Sequence, residues 1–225
     1  MMSRPLLGLL LLGLGLGRVE AASLTVSPIN VTVLAPEATS FLTLKNSGNT
    51  PINAQVRVFK WSQPNGVDHL EPTDDVVASP PIATIRPGQD YKVRVIRTNA
   101  ARQAPEDSYR IVIDELPSAD RQKNGAVVVV LRYSVPAFFL SPDATQPKLE
   151  WRLESRGGKQ MLVASNSGDK RARISDLTLG GKPVAKGLAG YVLGHSTKVW
   201  TIKSGAGGPV RATTEQGSIN APVRH

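Results

Sequence analysis

The chain has 225 residues, 40% of them hydrophobic and 20% charged, ordinary proportions for a globular protein with one large core or two modest ones. Lys and Arg outnumber Asp and Glu by 27 to 18, a formal net charge of +9. These cations form no dense run, which argues against nucleic acid as a partner. The absence of cysteine excludes a disulfide framework, thiol chemistry and cysteine zinc sites.

In chain order, Arg4 precedes the apolar run "PLLGLLLLGLGLG" and the small residues of "RVEAAS", the pattern of a cleavable export signal over residues 1–22. The run is too short for a stable membrane anchor, and no later segment is long and apolar enough to serve as one. An exported protein without stable membrane insertion is expected. The first mature segment changes phase: Leu24 and Val26 are apolar on even positions, Ile29, Val31 and Val33 on odd ones, with Pro28 between them. Proline lacks the ladder N–H, so the segment should kink there and pass from one sheet to another.

Period-two alternation then dominates. "INAQVRVF" aligns Ile52, Ala54, Val56 and Val58; "YKVRVIR" aligns Tyr91, Val93 and Val95; "SYRIVIDEL" aligns Tyr109, Ile111 and Ile113. Segments such as "KNSGNTP", "SQPNGVD" and "RPGQD" carry the turn residues between them. Polar "DATQPK" reads as a linker, after which "LEWRLES", "MLVASNSG", "RARISDLTL" and "TKVWTI" resume strand patterns. The expectation is an all-β protein of two β-sandwiches, residues 23–142 and a smaller, looser 143–225.

Catalytic patterns are missing. His69, His195 and His225 stand in loop-like or terminal contexts, Asp74–Asp75 in a turn cluster, and no nucleophile elbow, metal-ligand spacing or phosphate loop occurs. No enzymatic activity and no cofactor are expected, which leaves binding.

The segment "NGAVVVVLRYSVPAFFLSP", residues 124–142, is the most hydrophobic run after the leader. From Gly125 to Phe139 a strand would reach about 45–50 Å, far longer than a typical strand. Pro136 prevents full pairing along that length. One reading is a strand buried on both faces; the other is a long apolar edge kept open because a partner chain pairs with it.

The order of blocks resembles the periplasmic pilus-assembly chaperones of the chaperone–usher pathway. "VFKWSQPNGVDHLEPTDDVVASPPIATIRPGQDYKVRVIR" is similar to the family's aromatic-ending strand, polar loop, "sPP" and "PG…R" elements. "EDSYRIVIDELP", "LRYSVPAFFLSP", "LVASNSGDKRARISDLTL" and "GYVLGHSTKVW" follow in the family's order. The details look like the archaic branch serving Csu-type or spore-coat-U-like subunits. The resemblance implies two immunoglobulin-like domains in a boomerang with a cleft between them. It implies pilus subunits with an incomplete immunoglobulin-like fold as clients and an outer-membrane usher as recipient. The chaperone would lend a strand whose side chains, Val127, Val129, Leu131 and Tyr133, fill the client's open groove; the alternative phase is Val128 and Val130. Pro136 to Pro142 would then be the exit towards the second domain.

Better-known relatives anchor the client's C-terminal carboxylate with a basic residue on the first strand and a lysine late on the lent strand. Here Pro28 and its neighbours, and Pro136 or Ala137, stand there, so that pair does not carry over. Arg110 and Arg132 are the candidate anchors, both on even positions of strands expected to be neighbours near the domain junction. Arg94 is expected to pair with Glu115, and Arg97 and Lys92 to be solvated. The competing reading is a pilus subunit, adhesin or other secreted β-sandwich binding module.

Overall fold

The computed structural model describes residues 24–98, 104–117 and 129–224. The expected leader, Val127, Val128 and His225 lie outside the described residues. Among those described, the alternating segments form strands, and the only helical element is one 3-10 turn at Pro64–Gly66.

The first sandwich packs two sheets. One contains β1 (Leu24–Ser27), β3 (Thr39–Asn46), β6 (Val76–Ser79) and β8 (Asp90–Arg97), in the order β1-β3-β8-β6. The other contains β2 (Val31–Leu34), β4 (Ile52–Ser62), β5 (His69–Pro72), β7 (Ile82–Ile85), β9 (Glu106–Leu116) and β10 (Arg132–Leu140), in the order β2-β10-β9-β4, with β5 and β7 both pairing β4. The phase change at Pro28 therefore does move the chain between sheets: β1 pairs β3, while β2 pairs β10 in parallel. The alternating apolar residues meet inside. Leu42, Ala54, Val93, Val95, Ile111 and Ile113 are all fully buried in this core.

Three charged residues share that inward phase. Lys60 follows Val56 and Val58, Arg97 follows Val93 and Val95, and Asp107 precedes Tyr109 and Ile111. They meet at the end of the core, where Lys60 Nζ lies 2.8 Å from Asp107 Oδ1 and Arg97 pairs with Oδ2 of the same carboxylate. Arg97 is thus a largely buried partner of Asp107, stacked over Phe139, and not solvated as expected. An unpaired carboxylate at that depth would be strongly disfavoured, so the three occur together. The expected Arg94–Glu115 pair does not form: Arg94 lies over the Phe41 ring on the outer face of the opposite sheet.

The second sandwich contains β11 (Leu149–Arg156), β12 (Lys159–Asn166) and β15 (Thr197–Ile202) in one sheet. The other holds β13 (Ala172–Leu179), β14 (Lys182–Val192), β16 (Val210–Thr214) and β17 (Gly217–Ala221). Its separate, smaller core centres on Trp151, Leu162, Ile174, Leu177 and Val192. An Asn-Ser-Gly turn recurs in both sandwiches. Asn46 Nδ2 donates to the carbonyls of Thr50 and Ile85, and Asn166 Nδ2 to those of Lys170, Val192 and Leu193. In each, the asparagine Oδ1 accepts the N–H of the glycine two residues on. One buried side chain thereby satisfies carbonyls that the turn would otherwise strand.

The two sandwiches meet over a small aromatic core. Trp61 and Phe138 of the first pack against Tyr191 and Leu193 of the second. Gln63 Nε2 donates to Tyr191 O at 2.8 Å and its Oε1 accepts Leu193 N–H at 2.9 Å. Arg171 forms a buried ion pair with Glu106 at 2.8 Å and lies 3.8 Å over Phe138. Lys198 reaches Asp68 at 2.6 Å. Burial opposes ionisation of Asp68, but hydrogen bonds from Lys198 and Gln63 outweigh it and hold the carboxyl below its ordinary range. The linker is also pinned, since Asp169 Oδ2 accepts both the N–H and hydroxyl of Thr145.

Candidate functional site

β10 is paired along its whole length on one side only. It runs antiparallel to β9 from Arg132 to Leu140, but β2 covers its other edge only from Ala137 to Leu140. Among the described residues, 132–136 therefore form an open sheet edge. Proline within a strand needs such a place, because its missing N–H can leave no ladder bond broken there. Pro136 occupies the last edge position before β2 begins.

The hydrogen bonds fix which backbone groups face outward. Glu115 N–H donates to Leu131 O on the β9 side, whereas Ala35 N–H donates to Leu140 O on the β2 side. Backbone direction alternates along a strand. Odd residues of β10 thus bond β9, and the N–H and C=O groups of Arg132 and Ser134 point to the open edge.

Side chains alternate too. Val135, Ala137 and Phe139 are fully inside the first core, and Leu131 and Tyr133 pack partly buried at its rim. Tyr133 also donates its hydroxyl to Leu24 O at 2.5 Å. Of the residues expected to fill a partner's groove, Val129 is free on the surface at 65% exposure, beside Val130 at 45%. Leu131 and Tyr133 already have an inward partner, because their phase continues that of the core residues downstream. The expected exit at Pro136 is also displaced. Ala137–Leu140 is a doubly paired, buried strand, and the chain leaves the sandwich only after Leu140.

The two candidate arginines are not brought together. In the β9–β10 register Asp114 opposes Arg132, while Arg110 opposes Pro136. Four positions separate them, about 13 Å along the strand. Arg132 pairs with Asp114, which Arg57 also contacts at 2.6 Å, so Arg132 serves an ion-pair cluster at the end far from the junction. Burial opposes ionisation of Asp114, and hydrogen bonds from Arg132 and Arg57 outweigh it and keep the carboxyl low.

Arg110 sits at the junction itself. Its guanidinium lies 3.8 Å over the Trp61 ring and 5.6 Å from that of Tyr191. It has no carboxylate within ion-pair distance among the described residues; its one polar contact is a long 3.5 Å approach to Ser134 O on the open edge. Desolvation lowers its pKa, yet a guanidinium stays charged at any physiological pH. It lines a pocket of about 310 Å³ with Ile29, Asn30, Pro136, Arg173 and Tyr191. Sequence reasoning missed Arg173, which reaches this pocket from the second sandwich. Its alternation with buried Ala172 and Ile174 marks it as outward-facing, but nothing in the sequence shows that this outward face meets the first sandwich.

An open strand edge ending at a desolvated arginine can accept an extended segment with a terminal carboxylate. Residues 23–146 match the family described as pili and flagellar-assembly chaperone, PapD N-terminal domain. A solved chaperone–tip adhesion subunit pre-assembly complex, CsuC–CsuE from the archaic Csu pili of Acinetobacter baumannii, aligns at 28% identity. It covers 91% of this chain and 100% of that one, with a TM-score of 0.78. The Salmonella enterica SafB chaperone complex with SafA pilin aligns at 19% identity over 89% and 96% of the two chains, TM-score 0.68. The Escherichia coli chaperone DraB aligns at 21% over 89% and 98%, TM-score 0.64. No curated protein sequence matches at a significant level.

Proposed function

This chain belongs to the pilus-assembly chaperones of the PapD type, and on that premise we propose that it lends the segment from Val127 through Tyr133 to a pilus subunit and holds the subunit's C-terminal carboxylate at Arg110. The observation that carries the proposal is the open edge of residues 132–136 ending beside Arg110. A client strand that ends at Arg110 must run in the direction of β10 and end-on to β2, as a parallel neighbour. Val127 and Val129 enter the client's groove, while Leu131 and Tyr133 stay seated on their own core and offer their exposed flanks. Each apolar side chain so covered contributes about 1.5–3 kcal/mol, sufficient in sum to shield an incomplete sandwich. Arg110 supplies parallel charge-assisted hydrogen bonds, strengthened because the guanidinium is already partly dehydrated.

The Csu-type branch, the periplasm as workplace and an outer-membrane usher as recipient complete the proposal. At the usher another subunit's extension displaces the lent strand, an exchange of like contacts that needs no nucleotide. The functional division falls after Pro142, residues 23–142 carrying the lent strand and 143–225 closing the cleft. Two variants of the tagged chaperone, recovered from the periplasm of its host, test the proposal. Val129→Asp should leave the melting temperature unchanged and abolish co-purification of the subunit. Arg110→Glu should abolish co-purification through the carboxylate while circular dichroism still reports a folded chaperone. Normal subunit recovery with Val129→Asp rejects the lent strand, and with Arg110→Glu rejects the anchor.

A further inference from the structure

We propose that the junction pocket is a two-sided clamp for the client's last residue, in which Arg173 of the second sandwich binds the terminal carboxylate together with Arg110 of the first. The inference rests on the Arg110 reading above and adds the second sandwich to it. Loading then ties the two sandwiches together through one carboxylate.

Arg110 and Arg173 line the same pocket. Arg173 opposes Tyr191 in the β13–β14 register, and the Tyr191 ring is also one that Arg110 approaches, at 5.6 Å. Among the described residues, neither guanidinium has a carboxylate within ion-pair distance. Glu215, the one acid in the lining, lies 4.0 Å from Arg171 instead. Two like charges that line one space and are ion-paired to no described carboxylate favour an anion between them.

The apolar rim points to what the anion belongs to. Ile29 from the first sandwich, 79% exposed, and Leu188 from the second, 55% exposed, frame the pocket mouth. The ligand that fits these features is a chain terminus: free carboxylate on the arginines and an apolar side chain between Ile29 and Leu188.

The test uses the isotope-labelled mature protein and a synthetic probe followed by NMR titration. The probe is an acetylated hexapeptide of alternating threonine and valine, ending in valine, as free acid and as C-terminal amide. The wild type should bind the acid more tightly than the amide by roughly tenfold or more, the usual effect of a charge-assisted pair. The acid, and not the amide, should shift amides of both sandwiches, including those of Leu188 and Tyr191. Arg173→Ala should lose most of this discrimination and Arg173→Lys should retain part of it; the side chain is exposed, so unchanged melting is expected. If Arg110→Ala loses discrimination while Arg173→Ala keeps it, the clamp is wrong and the Arg110 anchor stands. A wild type that treats acid and amide alike, or binds neither, overturns both.

Discussion

Replacing Arg171 with methionine should uncouple the two sandwiches while leaving both cores intact. In the wild type the Arg171 side chain is 8% exposed and its partner Glu106 only 1%, with 2.8 Å between them. Arg171 also donates to Thr32 Oγ1 at 3.1 Å and covers Phe138. Methionine keeps much of the packing over Phe138 but removes the cation from the Glu106 carboxylate, leaving it only the backbone N–H of residue 171 at 2.8 Å. Stranding one partner of a buried pair costs about 3–5 kcal/mol, whereas the lost hydrogen bond to Thr32 accounts for only about 1 kcal/mol. The deficit is localised at the junction, so calorimetry should resolve one transition in the wild type and two in the variant. The smaller second sandwich should melt first. The pH dependence has a definite sign. Burial already holds the Glu106 carboxyl above its ordinary range, against the attraction of Arg171. Without the arginine its pKa rises further, and a carboxyl with a raised native pKa favours the native state when protonated. The deficit should therefore be largest at neutral pH and shrink as the solution is acidified towards about pH 4. A Glu106→Gln, Arg171→Met double variant should recover much of the loss. A variant that melts like the wild type at neutral pH, or with a deficit independent of pH, refutes the reasoning.

Gly168→Ala should destabilise the second sandwich by about 1–3 kcal/mol, because its Cβ would collide with the backbone carbonyl of Gln146, which cannot rotate away; an unchanged melting temperature contradicts this. Asp169 is held down to about 2, first by the Thr145 hydroxyl and then by His195. A depressed carboxyl stabilises above its unfolded pKa and loses that effect as pH falls through the folded one. The difference in melting temperature between wild type and Asp169→Asn should hold at neutral pH and vanish between about pH 4 and about pH 2; a gap that persists in acid rules the linker clip out.

Much of the fold was legible because alternation reports which side of a strand is inward. Ile52 to Val58, Val93 and Val95, and Ile111 and Ile113 all fell on the phase the sequence marks, and Pro28 marked the change of sheet. The same phase held information that composition obscures: Lys60, Arg97 and Asp107 are charged, yet occupy inward positions, and their mutual pairing makes that tolerable. The candidate site was less legible. Parity shows that Arg110 and Arg132 share a face, but not that Pro136 opposes Arg110 and Asp114 opposes Arg132. Register depends on the pairing of two distant segments, which no local pattern specifies. Tyr133 continued the phase of Val127 and Val129, and the sequence cannot show where along one phase a strand passes from its own core to a partner's. Arg173 reached the pocket only through the packing of one sandwich on the other.

The central claim is that a client strand pairs with the open edge of β10, and hydrogen exchange tests it directly. The N–H groups of Arg132 and Ser134 point to that edge and have no strand beside them among the described residues. In the complex isolated with its subunit, these two amides should change from fast to strongly protected, while those of Tyr133 and Val135, already directed at β9, change little. Equally fast exchange at Arg132 and Ser134 in the free and loaded chaperone would contradict strand addition at this edge.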